Sequence, residues 1–260
     1  PADDYGLVLW SHASGWLDNG KPAARSWGID DSNGSANRVE MSIPDLASAL
    51  SDHYFSFIYF DCCFMGNIES LYEIKSSARY VVASPTETPL DGMPYEMNVP
   101  CFFKEQPALT EAATNTFNYY DKQSGASRSC TMAVYDMRKI DAVASAFRDV
   151  VMTNTQPAEG WQQQQYGYGR NFGNRFYDFA HYVHSLTDSQ QLTSRFDRAM
   201  SEFVLYSDHT DSMWGGAINL IHCNGVSSYI ITDADDAVAS RYNYFGLKWW
   251  KEVTSPAFGD

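Results

Sequence analysis

YGLVLWS (Tyr5–Ser11) and YFSFIYF (Tyr54–Phe60) are continuous apolar runs, the signature of strands buried on both faces of a sheet. Between them a loop rich in Gly, Asp, Asn and Ser extends from Ala13 to about Met41. Ser42-Ile43-Pro44-Asp45 then opens a short helix to Asp52, with proline in its first turn. The second run ends at Asp61. Met65–Lys75 reads as a helix and Tyr80–Ala83 as a third strand. This β-α-β-α-β order predicts an α/β fold with a mostly parallel sheet covered by helices.

Further along, Ser84–Pro100 reads as a loop, Pro107–Lys122 as a helix, Cys130–Asp136 as a strand and Lys139–Thr153 as another helix. Gln156–Asn174, biased toward Gln, Gly and aromatics, breaks the pattern. Helices are expected at Arg175–Ser185 and Gln190–Ser207. Ala217–His222 and Ser228–Thr232 read as a hairpin joined at Cys223-Asn224-Gly225, and Ala234–Trp250 as a last helix. No repeat and no dividing linker interrupts the chain, so a single domain over residues 1–260 is expected.

The composition narrows the partners. Acidic residues outnumber basic ones 32 to 18, a net charge of −14, which is the wrong sign for nucleic acid or an anionic membrane surface. No window is long and apolar enough for a membrane span. Aromatics at 15% suit a large core and grooves that grip polymers. The acidity reads first as solvated surface, with part of it free to line a pocket for a cationic substrate. Five cysteines (62, 63, 101, 130 and 223) form neither a metal-finger pattern nor a disulfide framework. Pro1–Tyr5 carries no signal-peptide features, and the start one turn before a strand suggests a preceding segment.

In open α/β sheets ligands sit beyond the C-terminal ends of the strands. The first strand ends in Ser11-His12-Ala13-Ser14-Gly15-Trp16, the second in Asp61-Cys62-Cys63-Phe64-Met65-Gly66. A histidine and a cysteine at matching ends of neighbouring strands supply an imidazole and a thiol nucleophile for a cysteine hydrolase. Cys63 also stands just before the expected helix, whose dipole would favour thiolate. Backbone N–H groups beyond the strand ends could hold an oxyanion.

Three blocks, LVLWSHASGW (7–16), FDCCFMGNIESLYEI (60–74) and VVASPTETPLDGMPY (81–95), resemble the clostripain family of cysteine peptidases. That family shares a caspase-like α/β/α sandwich with caspases, gingipains and legumains. Its pattern is a strand ending in His-Gly-x-Gly-Trp, then one ending in Asp-Ala-Cys-x-Met. The resemblance implies that His12 is the catalytic histidine and Cys63 the nucleophile. Cys62 then takes the family's usual alanine position, pointing into the sheet and inert. It implies an oxyanion hole from the backbone N–H groups of Cys63 and Ala13. Ala13 replaces the usual glycine, which would strain the site if φ there had to be positive.

The resemblance also implies cleavage after Arg, sometimes Lys, with Asp91 as the first candidate acid of the specificity pocket and Asp61, beside the nucleophile, as the second. Read without it, Asp91-Gly92 is simply a turn. Family members mature by self-cleavage between the histidine and the cysteine, where this chain carries Lys21, Arg25 and Arg38. Arg25 precedes Gly28-Ile29-Asp30-Asp31, which resembles the start of the family's second chain, and is the expected cut. A secreted or cell-surface bacterial protein is implied, acting as a monomer on peptide or protein substrates without a cofactor.

Other features are weaker. Asp30, Asp31 and Asn33 could bind calcium but lack EF-hand spacing. Asp178, His181 and His184 read as a structural helix face rather than metal ligands. Asp211–Gly216 (DSMWGG) could wall the cleft. Two other readings stay open: a catalytically silent peptide binder, suggested by Ala13 and the Cys62-Cys63 pair, and a glycan-binding surface protein, suggested by the aromatic content and residues 161–173.

Overall fold

Alternating strand and helix formers in the first half assemble around one sheet. The computed structural model describes the chain except residues 1, 3, 18–26, 31, 33, 35–38, 158–159, 162–163, 167–175, 232–235 and 260. Its elements begin with β1 (Gly6–Trp10), β2 (Trp27–Asp30), β3 (Val39–Met41), α1 (Ile43–Ala49), β4 (Phe55–Asp61), α2 (Ile68–Glu73) and β5 (Ala78–Ala83). They continue with α3 (Tyr95–Phe102), α4 (Leu109–Asp121), β6 (Thr131–Asp136), α5 (Ile140–Val151), β7 (Gln165–Tyr166), β8 (Phe176–Asp178), α6 (Phe179–Ser185) and α7 (Gln190–Phe203). The last are β9 (Val204–His209), β10 (Ser212–Met213), β11 (Ile218–Asn219), β12 (Ser227–Ser228) and α8 (Ala237–Arg241).

The central sheet has the order β1-β4-β5-β6-β9. β1, β4 and β5 are mutually parallel, β6 runs against β5, and β9 runs against β6. Four of the five strands therefore point one way. Period-two alternation builds a core on each face: Ile58 and Phe60 join Val81, Tyr135 and the apolar sides of α1, α2, α5 and α7. Phe57 and Tyr59 join Val82, Val134 and the buried sides of α3 and α4. This is the expected three-layer α/β/α sandwich.

Helix starts follow local chemistry. Ser42 caps α1 by accepting from Asp45 N at 3.2 Å, with proline in the first turn. Asn67 caps α2 through Ser70 N at 2.7 Å. In α5, Val143, Ala144, Phe147, Val150 and Val151 form one buried stripe.

Several expectations need correction. β1 is not buried on both faces. Among the described residues it is an edge strand paired only with β4, and Val8 and Trp10 are exposed on its uncovered face. α3 occupies part of the expected loop despite Pro100 inside it. Tertiary hydrogen bonds outweigh the proline: Tyr95 Oη donates to Asp61 at 2.7 Å, and Asn98 Nδ2 donates to Tyr59 Oη and Thr116 Oγ1, each at 2.9 Å.

The helix expected to reach Ser207 stops at Phe203, because Val204–His209 is captured as a sheet strand by β6. Likewise α6 is preceded by a strand, β8. The expected hairpin does not form: β11 pairs with β10, and β12 pairs with β8. Asp178 is the reason, since its carboxylate accepts from Asn224 N at 2.7 Å and Asn224 Nδ2 at 2.8 Å, binding that turn to the β8–α6 junction. The final helix is broken after Arg241, where Asn243 turns left-handed at φ +59° before a 3-10 turn.

One buried acid in α2 makes stability pH-dependent. Burial pushes the Glu69 carboxyl up to about 8, although Oε1 accepts from Tyr229 N at 2.8 Å. The unfolded chain releases this proton near pH ~4.3. Stability from this group is therefore greatest below that pH and declines as pH rises toward 8. Glu69→Gln should melt a few degrees above wild type at pH 8, with a smaller difference at pH 5. Parallel melting-temperature profiles of the two proteins would contradict this assignment.

Candidate active site

β1 and β4 pair in parallel with Trp10 opposite Asp61, so His12 and Cys63 each lie two residues beyond a matched pair. Ser11 N donates to Asp61 O at 3.4 Å, extending the alignment past the strand end. Both candidate catalytic side chains border a cavity of about 290 Å3, with Asp61 also in its lining. Trp10, Thr88, Pro89, Leu90 and Gly92 complete most of the wall. His12 is exposed at this cavity, and its carbonyl accepts from Gly28 N at 3.2 Å.

The turn carrying Cys63 is fastened to the segment after β5. Phe64 N donates to Thr86 O at 2.7 Å, Gly66 N to Ser84 O at 2.8 Å, and Thr88 Oγ1 to Cys62 O at 3.2 Å. Phe64, directly after Cys63, is left-handed at φ +59°, a costly conformation for a bulky residue. Stacking on Phe176 at 4.9 Å, within the core, holds it there. Gly66 is required by contact rather than dihedral, because a Cβ would stand 2.7 Å from Pro85 N.

The two neighbouring thiols occupy different environments. Cys62 is 1% exposed, accepts from Trp27 Nε1 at 3.2 Å and donates to Leu9 O at 3.1 Å. Burial pushes it up to about 12. Cys63 is half-buried, and Thr88 N donates to its Sγ at 3.2 Å. Burial pushes this thiol up to about 11, with the Thr88 amide working the other way. The expected helix-dipole activation is absent, since α2 begins five residues beyond Cys63 and not directly after it.

Asp61 is 3% exposed and accepts from Met93 N at 3.1 Å and Tyr95 Oη at 2.7 Å. Both bonds land on Oδ2, and among the described residues no side chain or amide donates to Oδ1. Burial raises its pKa, tempered by those two donors. Gly92 lies against this carboxylate: its φ is +68°, and a Cβ would meet Asp61 Oδ2 at 2.8 Å. Asp91 forms the expected turn, with Gly92 N donating to Pro89 O at 3.0 Å. Its side chain is exposed, between two residues of the cavity wall.

Ala13 is not among the described residues with positive φ, so the feared strain does not arise. It forms an isolated antiparallel bridge with Trp27. Among the described residues, no backbone carbonyl accepts from the Ala13 or Cys63 amide.

Arg25, with Lys21 and Arg38, lies outside the described residues, as do Asp31, Asn33 and the side chain of Asp30. Asp178 caps α6 through His181 N at 2.8 Å, while His181 stacks on His222 at 3.8 Å. His184 pairs with Asp197 at 2.6 Å. Trp214 is not among the cavity's lining residues; its indole donates to Glu87, beside Thr88. Sequence reasoning missed Thr88, Tyr95 and Trp27. Thr88 and Tyr95 lie within the third motif block, but their partners become visible only in three dimensions.

A caspase-like sandwich that brings an imidazole and a thiol to one pocket defines a cysteine peptidase. The model of the clostripain family matches residues 1–255, and the chain belongs to that family. A secreted C11 cysteine protease from Bacteroides thetaiotaomicron, in complex with an irreversible peptide inhibitor, is 29% identical. Its TM-score is 0.83, over 99% of this chain and 74% of that one. An inactive zymogen C11 protease from Parabacteroides distasonis is also 29% identical, with a TM-score of 0.77 over 97% of this chain and 71% of that one. A clostripain from Bacteroides thetaiotaomicron in complex with the peptide inhibitor BTN-VLTK-AOMK shares 20% identity. It has a TM-score of 0.74 over 88% of this chain and 98% of that one. No curated protein matches the chain.

The raised thiol gives a direct test in the free enzyme. Thiolate, not thiol, reacts with iodoacetamide, so inactivation at Cys63 should accelerate about tenfold per pH unit from 7 to 10. A plateau below pH 8 would show a thiolate already formed.

Proposed function

We propose that this peptidase cleaves after arginine or lysine, with Cys63 as nucleophile, His12 as proton carrier and Asp61 as the principal acid of the specificity pocket. The observation that carries the reading is the buried Asp61 carboxylate, which borders the same cavity as Cys63 and has Oδ1 unused by the described residues. Guanidinium binds carboxylate through charge-assisted hydrogen bonds. Trp10 and Leu90 offer apolar walls for the aliphatic stem of such a side chain. Asp91, exposed beside the wall, is the second acid of the same pocket.

In the reaction, Cys63 Sγ attacks the scissile carbonyl as His12 takes the thiol proton. The Cys63 and Ala13 amides hold the oxyanion. Collapse to the thioester expels the amine, which leaves with the proton from His12. Water then attacks the thioester, His12 accepts its proton and returns it to sulfur, and the acid product departs. These steps need no cofactor, and one chain supplies every group, in keeping with a monomer. Secretion is proposed by analogy with the 29%-identical secreted relative. Calcium binding at Asp30, Asp31 and Asn33 stays a secondary proposal, tested by activity with and without a chelator.

Self-cleavage at Arg25 is proposed for maturation because the cut falls between His12 and Cys63, just ahead of β2. Mass spectrometry of active protein should show new termini at Arg25 and Ser26. An active enzyme with that bond intact rejects the proposal. Specificity is tested with fluorogenic peptides ending in Arg, Lys or a neutral residue. Asp61→Asn should lower kcat/KM for Arg substrates by about 10- to 100-fold, the range of a charge-assisted hydrogen bond. Asp91→Asn should cost less, since that carboxylate is solvated. Unchanged Arg preference in both variants would place the specificity acid elsewhere.

A further inference from the structure

The proposed reaction gives Cys62 no chemical role, yet this residue, which also borders the cavity, is not merely packed. Its Sγ accepts from the Trp27 indole at 3.2 Å and donates to Leu9 O at 3.1 Å, joining β2 and β1 to the residue just after β4. The same residues of β2 grip the histidine side of the site. Trp27 bridges Ala13, and Gly28 N donates to His12 O at 3.2 Å. Two consecutive residues thus hold the backbone of the proposed histidine, the proposed oxyanion amide and the residue before the proposed nucleophile. Sulfur is a weak acceptor, but this thiol is buried, where water cannot compete for the indole N–H. The alanine usual in the family at this position could neither accept nor donate.

We infer that Trp27 and Cys62 form a positioning clamp that keeps the His12 and Cys63 strand ends in register for catalysis. The inference rests on the proposed roles of His12 and Cys63. It gives the second thiol a purpose. It also ties the segment that follows Arg25 to the geometry of the site. Neither residue is assigned contact with substrate; both act through the backbone they hold.

The test uses the mature enzyme with its best Arg substrate. Trp27→Phe keeps the ring and removes only the N–H, while Cys62→Ala removes both hydrogen bonds. Each should lower kcat about three- to tenfold with KM within about twofold, as a lost hydrogen bond of ordinary strength would. The double variant should be no worse than the poorer single one, because both changes break one contact. Cys62→Ser, whose hydroxyl can accept from the indole and donate to Leu9 O, should recover most of the loss. Wild-type kcat in both single variants, or losses that multiply in the double, would overturn the clamp. Should Cys62→Ala fold poorly, Trp27→Phe alone decides the matter. Turnover that survives Cys63→Ala would instead overturn the reading on which the clamp rests.

Discussion

The parallel pairing of β1 with β4, Trp10 opposite Asp61, sets the geometry on which the site depends. Two chain segments separated by some fifty residues leave the sheet side by side, at the same level and in the same direction. Equal extensions then carry His12 and Cys63 to one cavity, while Asp61 stays behind at the strand end. A one-residue slip would turn every side chain of β1 to the other face. The two-core alternation along β4, with Ile58 and Phe60 on one side and Phe57 and Tyr59 on the other, resists such a slip.

Close to that pairing the chain places one strained residue and one buried acid. Phe64 is left-handed beside the proposed nucleophile, and Asp61 is a buried carboxylate beside a thiol. Each is held by neighbours that have no part in the chemistry: Phe176 under Phe64, Met93 and Tyr95 on Asp61. Burial raises both Cys63 and Asp61. A bound cation would favour the ionised Asp61, and the basic side chain of the proposed substrate would bring that charge. In the proposed reaction the Cys63 thiol, raised by burial, gives up its proton to His12 as bond formation begins.

The motif blocks made the central elements legible, because His12, Asp61 and Cys63 sit on strand ends whose apolar runs are unambiguous. The exposed edge of β1 was not legible: Val8 and Trp10 are as apolar as Leu7 and Leu9, and only the position at the sheet edge leaves them uncovered. The same limit hid α3 behind Pro94 and Pro100, and β9 at the end of a helical pattern. There, distant partners such as Asp61, Tyr59 and β6 decide the local structure. Of the 32 acidic residues, Asp61 and Asp91 alone have a proposed place at the substrate, so the net charge itself carries little of the function.

The central claim is that register selects Cys63, not its neighbour Cys62, as the nucleophile. The most direct measurement is fragmentation mass spectrometry of the protein after inactivation by a peptidyl-arginine acyloxymethyl ketone. The account predicts a single adduct on Cys63, lost in Cys63→Ala and retained in Cys62→Ala. An adduct on Cys62, or inactivation that persists in Cys63→Ala, would contradict it.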